Sequence, residues 1–429
     1  MERKRIVLGL VAVATALALS ACSSTPGTPA TTSGSSNPPA AEKATIVWNM
    51  WAGDTAAEQK LKDQMAVAQK LVGDDITIEL QTAPWSDFFT KLNANLASGQ
   101  LACVTAMNGQ RLSGYTEAFL ELTDADLAAM GTSRDAYEAG ALAPMEVGGT
   151  LYNLPYDTAS MVMYYNADLF TQAGVPLPTN DWTIDDFQNA AQEITTKTGV
   201  KGFAVSVDEF QWLSLPMSKS GLQAVDESGK LDLTNPEFVA AATWYGELAS
   251  KLGVSNPVAS ASDSGWTTAE FQNGKAAMIV EGTWMNGSLL SDELPFASGV
   301  VRLPKGDKGA YGVTLGSGYG IAKNCENKDA ALKVLGALTG PEAQAVVAAQ
   351  AGFPARTDSQ PAFFSSLPEK NREAVTAAFT ASFEGATGQR VTPEWTQVAE
   401  AMPNNLVSVY TGQGTMADAL ADLQARFGG

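Results

Sequence analysis

Nine tryptophans and a set of planar polar side chains are the residues of this chain best suited to chemistry. An indole offers a flat apolar platform, and Asp, Asn, Gln and Arg offer planar pairs of donors or acceptors. Together they suit a pyranose, which has an apolar face of C–H groups and a rim of hydroxyls. Trp51 and Asp54 follow an extended run, Ala44-Thr45-Ile46-Val47-Trp48. They fall at the carboxyl edge of a strand, where α/β sheets hold ligands; the alternative for Asp54 is capping the next helix. Trp85 begins a second helical stretch after Pro84, either as a platform or as a hydrophobic staple. Tyr319 lies between Gly318 and Gly320, where backbone can approach a ligand closely. Gln110 and Arg111 follow a third extended run, Val104 to Met107.

Other chemistries are excluded. The chain has no histidine, which removes catalytic triads, His-ligated metals and imidazole switches. Three cysteines cannot build a Cys₄ zinc site. With 27 Lys plus Arg against 46 Asp plus Glu, the formal charge is −19, which argues against nucleic acid or anionic membrane surfaces as partners. An exported glycosidase would need two placed carboxylates, but nothing singles out a pair, and no Gly-x-Ser-x-Gly motif is present.

The elements that must position these residues can be read from periodicity. Leu61, Met65, Ala68 and Leu71 recur at helical spacing. Ile76, Ile78 and Leu80 alternate as a strand, and Phe88, Leu92 and Leu96 mark a second helix. With Val104–Met107 this makes a βαβαβ opening, which predicts a mainly parallel sheet covered by helices on both faces. Thr183 with Asp186 three residues on starts a helix, and Asn235-Pro236 starts another, with Phe238, Ala242, Tyr245 and Leu248 inward. Ala276–Val280 and Tyr319–Lys323 read as strands. The last helix carries Met416, Leu420, Leu423 and Phe427 on one stripe and stops at Gly428-Gly429. A chain of 429 residues, 45 % hydrophobic, has ample core for two or three domains or lobes.

The first residues are an address. Arg3, Lys4 and Arg5 precede an apolar run from Ile6 to Leu19, too short for a comfortable membrane span. Leu19-Ser20-Ala21-Cys22 resembles the bacterial lipobox, in which the cysteine becomes the lipidated first residue. Residues 1–21 are then a lipoprotein signal peptide, and an ordinary cleavable signal is the alternative. Residues 22–43, rich in Ser, Thr, Pro, Gly and Ala, read as a lipid-anchored flexible tether. The folded body is placed outside the cytoplasmic membrane, anchored to it. There the remaining Cys103 and Cys325 are expected to form a disulfide, with two separate buried thiols as the alternative.

Three stretches then matter in order: Leu151–Phe187 (LYNLPYDTASMVMYYNADLFTQAGVPLPTNDWTIDDF), Phe271–Trp284 (FQNGKAAMIVEGTW), and Gly316–Gln344 (GSGYGIAKNCENKDAALKVLGALTGPEAQ) followed by GFPAR at Gly352–Arg356. Their order and spacing resemble extracellular solute-binding protein family 1, the sugar-capturing lipoproteins of ABC importers related to maltose-binding protein. One departure is visible. Where the family has Gly-x-x-Pro-Asp before its third strand, this chain has Gly99 followed by Gln100, Leu101, Ala102 and Cys103. On the family fold the strand ending at Cys325 is antiparallel to the one beginning at Cys103, which supports the disulfide.

The resemblance implies an α/β, two-lobed periplasmic-binding-protein-like fold (type II), with the ligand cleft between lobes and crossover hinge segments. Lobe one would comprise 44–157 plus 316–354 and lobe two 158–315 plus 355–429, crossing near Asp157, Val313 and Pro354. It implies a stacking ring at Trp284 and a hydroxyl-binding carboxylate at Asp157, and at Arg356, on the last crossover, a guanidinium gripping ligand, with a surface or inter-lobe salt bridge as the alternative. Trp212 and Trp266, in loop-like contexts of lobe two, complete the candidate set. The implied role is capture of a mono- or oligosaccharide for an ABC permease by a monomer, without catalysis, cofactor or metal. The alternative is the same fold holding a polyol, glycerol phosphodiester, peptide or polyamine.

Overall fold

Asp54 shows how locally the first helix is set. Its carboxylate accepts the Ala57 backbone N–H at 2.8 Å, capping the helix Thr55–Val72, which Gly73 ends at φ 77°. The computed structural model describes residues 43–429, apart from 259, 264, 310–312, 351 and 385; the expected signal peptide, Cys22 and all but the last residue of the expected tether lie outside the described residues.

Ten strands occur among the described residues: β1 (Ala44–Trp51), β2 (Ile76–Ala83), β3 (Val104–Asn108), β4 (Glu146–Val147), β5 (Thr150–Leu151), β6 (Asn153–Asn166), β7 (Met278–Gly282), β8 (Ser298–Arg302), β9 (Val313–Ile321) and β10 (Thr387–Gly388). The principal sheet runs β2-β1-β3-β9-β6-β7, with β8 on β6 and β10 on β9. The βαβαβ opening forms as read, since β1 pairs in parallel with β2 and β3. The sheet as a whole is not mainly parallel. β9 inserts antiparallel between β3 and β6, and β7 and β8 are antiparallel to β6. These partners arrive from far along the chain, so the crossover rule for neighbouring βαβ units does not govern their direction.

The predicted helix starts are present. Thr183 and Asp186 form a reciprocal capping box at Ile184–Thr198, and Asn235 caps Pro236–Ser250. Phe238, Ala242, Tyr245 and Leu248 are all buried from the latter helix. Met416, Leu420 and Leu423 are buried along Met416–Phe427. Among the described residues no helix is long and apolar enough to cross a membrane.

Apolar packing separates the body. One cluster gathers Ile46, Trp48, Val104, Leu154, Tyr156, Tyr319, Ile321 and Leu335. A second gathers Ala159, Met161, Phe187, Trp212, Tyr245, Leu315, Trp395 and Leu420. A third, on the other side of β6, holds Val162, Tyr164, Phe271, Phe353, Phe363 and Phe379. β6 thus leaves the first cluster between Tyr156 and Ala159, and β9 does so between Tyr319 and Leu315. The two strands pair there from Asn153↔Gly320 to Ser160↔Thr314, with an irregularity between Pro155 and Asp157, and Pro354 bridges Asp157. Gly318 permits this close approach, because a Cβ there would stand 2.6 Å from the Leu154 carbonyl oxygen.

Cys103 and Cys325 are joined by a disulfide, with Cα atoms 4.9 Å apart. Antiparallel pairing of β3 with β9 sets Val104 opposite Ile321, and the Ala322 N–H donates to the Cys103 carbonyl at 3.0 Å. The two cysteines therefore flank the same end of the ladder.

Candidate functional site

The point where β6 and β9 pass from one cluster to the next is also the floor of a cavity of about 710 Å³. Asp157 and Tyr156 of β6, with Gly316 and Ser317 of β9, supply that floor. The wall nearer the first cluster carries Trp51, Trp85, Asn108 and Arg111. The opposite wall is built by the start of the helix Glu209–Ser220, by the helices Trp266–Gln272 and Trp395–Tyr410, and by Glu281 of β7 and Trp284 just beyond it.

Trp51 comes from the end of β1 and Trp85 from the first position of the helix Trp85–Ala97. Their rings meet edge-on at 5.0 Å, and Trp51 meets Phe88 at 5.2 Å. Packing therefore fixes both indoles while Trp85 stays 36 % exposed. Trp284 is 40 % exposed and lies over Gly282, where an added Cβ would collide with the indole. Phe210 supports it edge-on at 6.4 Å. Two indole faces are thus open toward solvent in a cavity rimmed by polar groups.

Asp157 accepts the Ser317 backbone N–H at 2.9 Å, and burial pushes its carboxyl up to about 7 against that bond. Glu281 is deeply buried, and desolvation raises it also to about 7. It accepts Gln211 Nε2 at 2.9 and 3.1 Å, the Gly282 N–H at 2.9 Å and Thr268 Oγ1 at 3.2 Å. Arg111 directs both terminal nitrogens to one oxygen of Glu209 at 3.0 Å. Among the described residues no group of three or more His, Cys, Asp or Glu could hold a metal ion.

Of the residues expected from sequence, Trp51, Trp85, Arg111, Asp157 and Trp284 line this cavity together. The others do not line it. Asp54 is the helix cap already described. Tyr319 is wholly buried, stacked on Tyr156 at 4.7 Å and edge-on to Trp48 at 5.4 Å. Trp212 is wholly buried, with Nε1 3.4 Å from Met402 sulfur. Trp266 begins a helix whose Thr268 and Ala269 face the cavity, while its own ring packs between the second and third clusters. Gln110 is buried, and its amide finds no hydrogen-bond partner among the described residues. Arg356 pairs with Asp358 at 2.7 Å, donates to Thr132 at 3.2 Å and covers Tyr137. Sequence reasoning missed Tyr156, Glu209, Gln211, Glu281 and Ser317. Glu281 alone carried a signal, a charged residue ending the apolar run Met278-Ile279-Val280, three positions before Trp284.

Comparison with known proteins agrees with this architecture. A chain of Brucella abortus (strain 2308), described only as a binding protein, is 25 % identical over 374 residues, covering 82 % of this chain and 85 % of the relative. The lactose-binding protein of Rhizobium radiobacter is 22 % identical over 250 residues, 56 % and 57 % of the two chains. An ABC substrate-binding protein from Listeria monocytogenes, solved with cycloalternan, superposes with a TM-score of 0.80 at 23 % identity, covering 90 % of this chain and 98 % of that one. The fold is accordingly the two-lobed α/β arrangement. The sequence model of bacterial extracellular solute-binding proteins matches residues 54–345, and the chain belongs to that family.

Proposed function

We propose that this protein captures a mono- or oligosaccharide between its lobes and delivers it to an ABC permease, acting by binding and not by catalysis. The observation that carries the reading is the pair of exposed indoles, Trp85 and Trp284, on opposite walls of one cavity with Asp157 on its floor. Indole faces take the apolar side of a sugar ring, and carboxylates and amides take its hydroxyls. The sugars named for the Rhizobium and Listeria relatives support the class without fixing the ligand. Lobes of 44–157 plus 316–354 and 158–315 plus 355–429, hinged at the crossings, are part of this reading, and the change of apolar cluster along β6 and β9 supports the two boundaries on those strands. Lipidation at Cys22 would hold a monomer beside its permease.

A second reading has its own support. The cavity lining holds five carboxylates, Asp157, Asp208, Glu209, Glu281 and Glu400, against the single guanidinium of Arg111. That balance suits a cationic solute such as a polyamine. Thermal melting against a panel of mono- and oligosaccharides and polyamines separates the readings. A ligand of the folded state adds ~2.7 kcal/mol of stability at a hundredfold excess over its dissociation constant. A shift with one sugar class supports carbohydrate capture, and a shift with spermidine alone replaces it.

A further inference from the structure

Arg111 stands out because both of its terminal nitrogens are committed to Glu209, another residue of the cavity lining. It follows β3 and lies against Phe89 and Trp85, its guanidinium carbon 4.8 and 5.3 Å from their ring centroids. Phe89 and the adjoining Leu112 belong to the first apolar cluster. Glu209 is the first residue of a helix whose Trp212, Leu213, Leu215 and Met217 belong to the second. The ion pair therefore joins the two cores through side chains alone. Both partners are only 7 % exposed.

Each part of the contact is pre-set. Glu209 sits at a helix N-terminus, where the backbone dipole favours a carboxylate. Its Oε2 takes both Arg111 nitrogens, and its Oε1 accepts the indole N–H of Trp395, another member of the second cluster. The guanidinium lies over two aromatic rings while both terminal nitrogens reach one carboxylate oxygen, a two-nitrogen fork that Lys does not have. Beside it, Ser113 donates to the Thr392 carbonyl at 3.2 Å, so the same contact continues as one neutral bond. Separating the walls would expose two desolvated charges at once.

We propose that Arg111 and Glu209 are a latch that holds the cavity closed, and that Arg111 is a positioning residue rather than a ligand contact. The latch rests on the two-lobed capture reading but not on the chemical class of the solute. Because Trp85 and Arg111 both line the cavity and the guanidinium lies over that indole, a solute stacked on Trp85 would bear on the latch directly.

The test needs no ligand, so its failure is separate from failure of the carbohydrate reading. Small-angle X-ray scattering on the ligand-free protein gives the radius of gyration, and melting reports the fold. Glu209→Gln keeps an oxygen for Trp395 and removes the charge. It is expected to lower the closed-to-open ratio about thirtyfold, enlarging the radius while leaving the melting midpoint near that of the wild type. Arg111→Ala should enlarge it equally, the double variant no further, and Arg111→Lys should restore part of the closure. An unchanged radius in the single variants, or an additive effect in the double, overturns the latch. The Arg111 Nε has no acceptor among the described residues, and additivity would assign it a separate role.

Discussion

The Asp157 carboxylate accepts the Ser317 N–H at 2.9 Å at the level where β6 and β9 both change apolar core. One hydrogen bond thus lies at the cavity floor and at the crossing between the two halves. Asp157→Asn retains an oxygen for Ser317 but removes the charge and one acceptor. Sugar affinity is expected to fall about tenfold, the scale of one hydrogen bond to a charged group. A wild-type dissociation constant by calorimetry would remove Asp157 from ligand contact.

The same residue sets a pH dependence. Asp157 and Glu281 have folded-state pKa values of about 7, above their ordinary 3.8 and 4.5. Between those values the folded chain holds more protons than the unfolded one, so stability falls as pH rises through this window and levels off above it. The lowered carboxylates, such as Asp186 and Asp358, act only at more acid pH. The ligand-free protein is expected to melt higher at pH 5.5 than at pH 8. Asp157→Asn and Glu281→Gln should each flatten that slope, and a flat wild-type profile contradicts the assignment.

Trp284 and Trp212 should separate binding from folding. Trp284 is 40 % exposed, and Trp284→Ala is expected to weaken sugar binding by ~1.5–3 kcal/mol, the worth of burying one large side chain, with little change in melting. Trp212 is in the core, and Trp212→Ala should cost ~3–5 kcal/mol of stability. Equal melting of the two variants refutes the distinction.

Gly282→Ala offers a subtler probe of the same ring. A methyl group there must displace the Trp284 indole, although residue 282 itself is not among those lining the cavity. Affinity should fall toward that of Trp284→Ala. If tryptophan fluorescence and affinity both match the wild type, the indole is not held by that glycine.

What the sequence disclosed followed the range of the interaction. The Thr183–Asp186 cap and the inward face of Phe238, Ala242, Tyr245 and Leu248 are set within a few residues, so spacing reveals them. The antiparallel entry of β9 between β3 and β6 depends on partners over a hundred positions apart, and no local pattern encodes that. Only the packing of the helix Trp395–Tyr410 over Trp212 and the bare Gly282 beneath Trp284 distinguish core from surface. Asp54 caps its own helix and Arg356 pairs with Asp358 two residues on, since a near partner satisfies a charged group more readily than a distant one. Glu209 escaped notice because its significance requires Arg111, 98 residues earlier.

The Cys103–Cys325 bridge belongs to the first cluster at both ends, Cys325 within it and Cys103 packed against it. The chain leaves that cluster along β6 and returns to it along β9, so the bridge brackets the whole excursion. A single proteolytic cut anywhere between positions 104 and 324 therefore leaves both fragments covalently attached. Nicked protein would run at full length on a non-reducing gel and split only when thiol is added. For a protein working outside the cell, damage to the middle of the chain need not mean loss of either half.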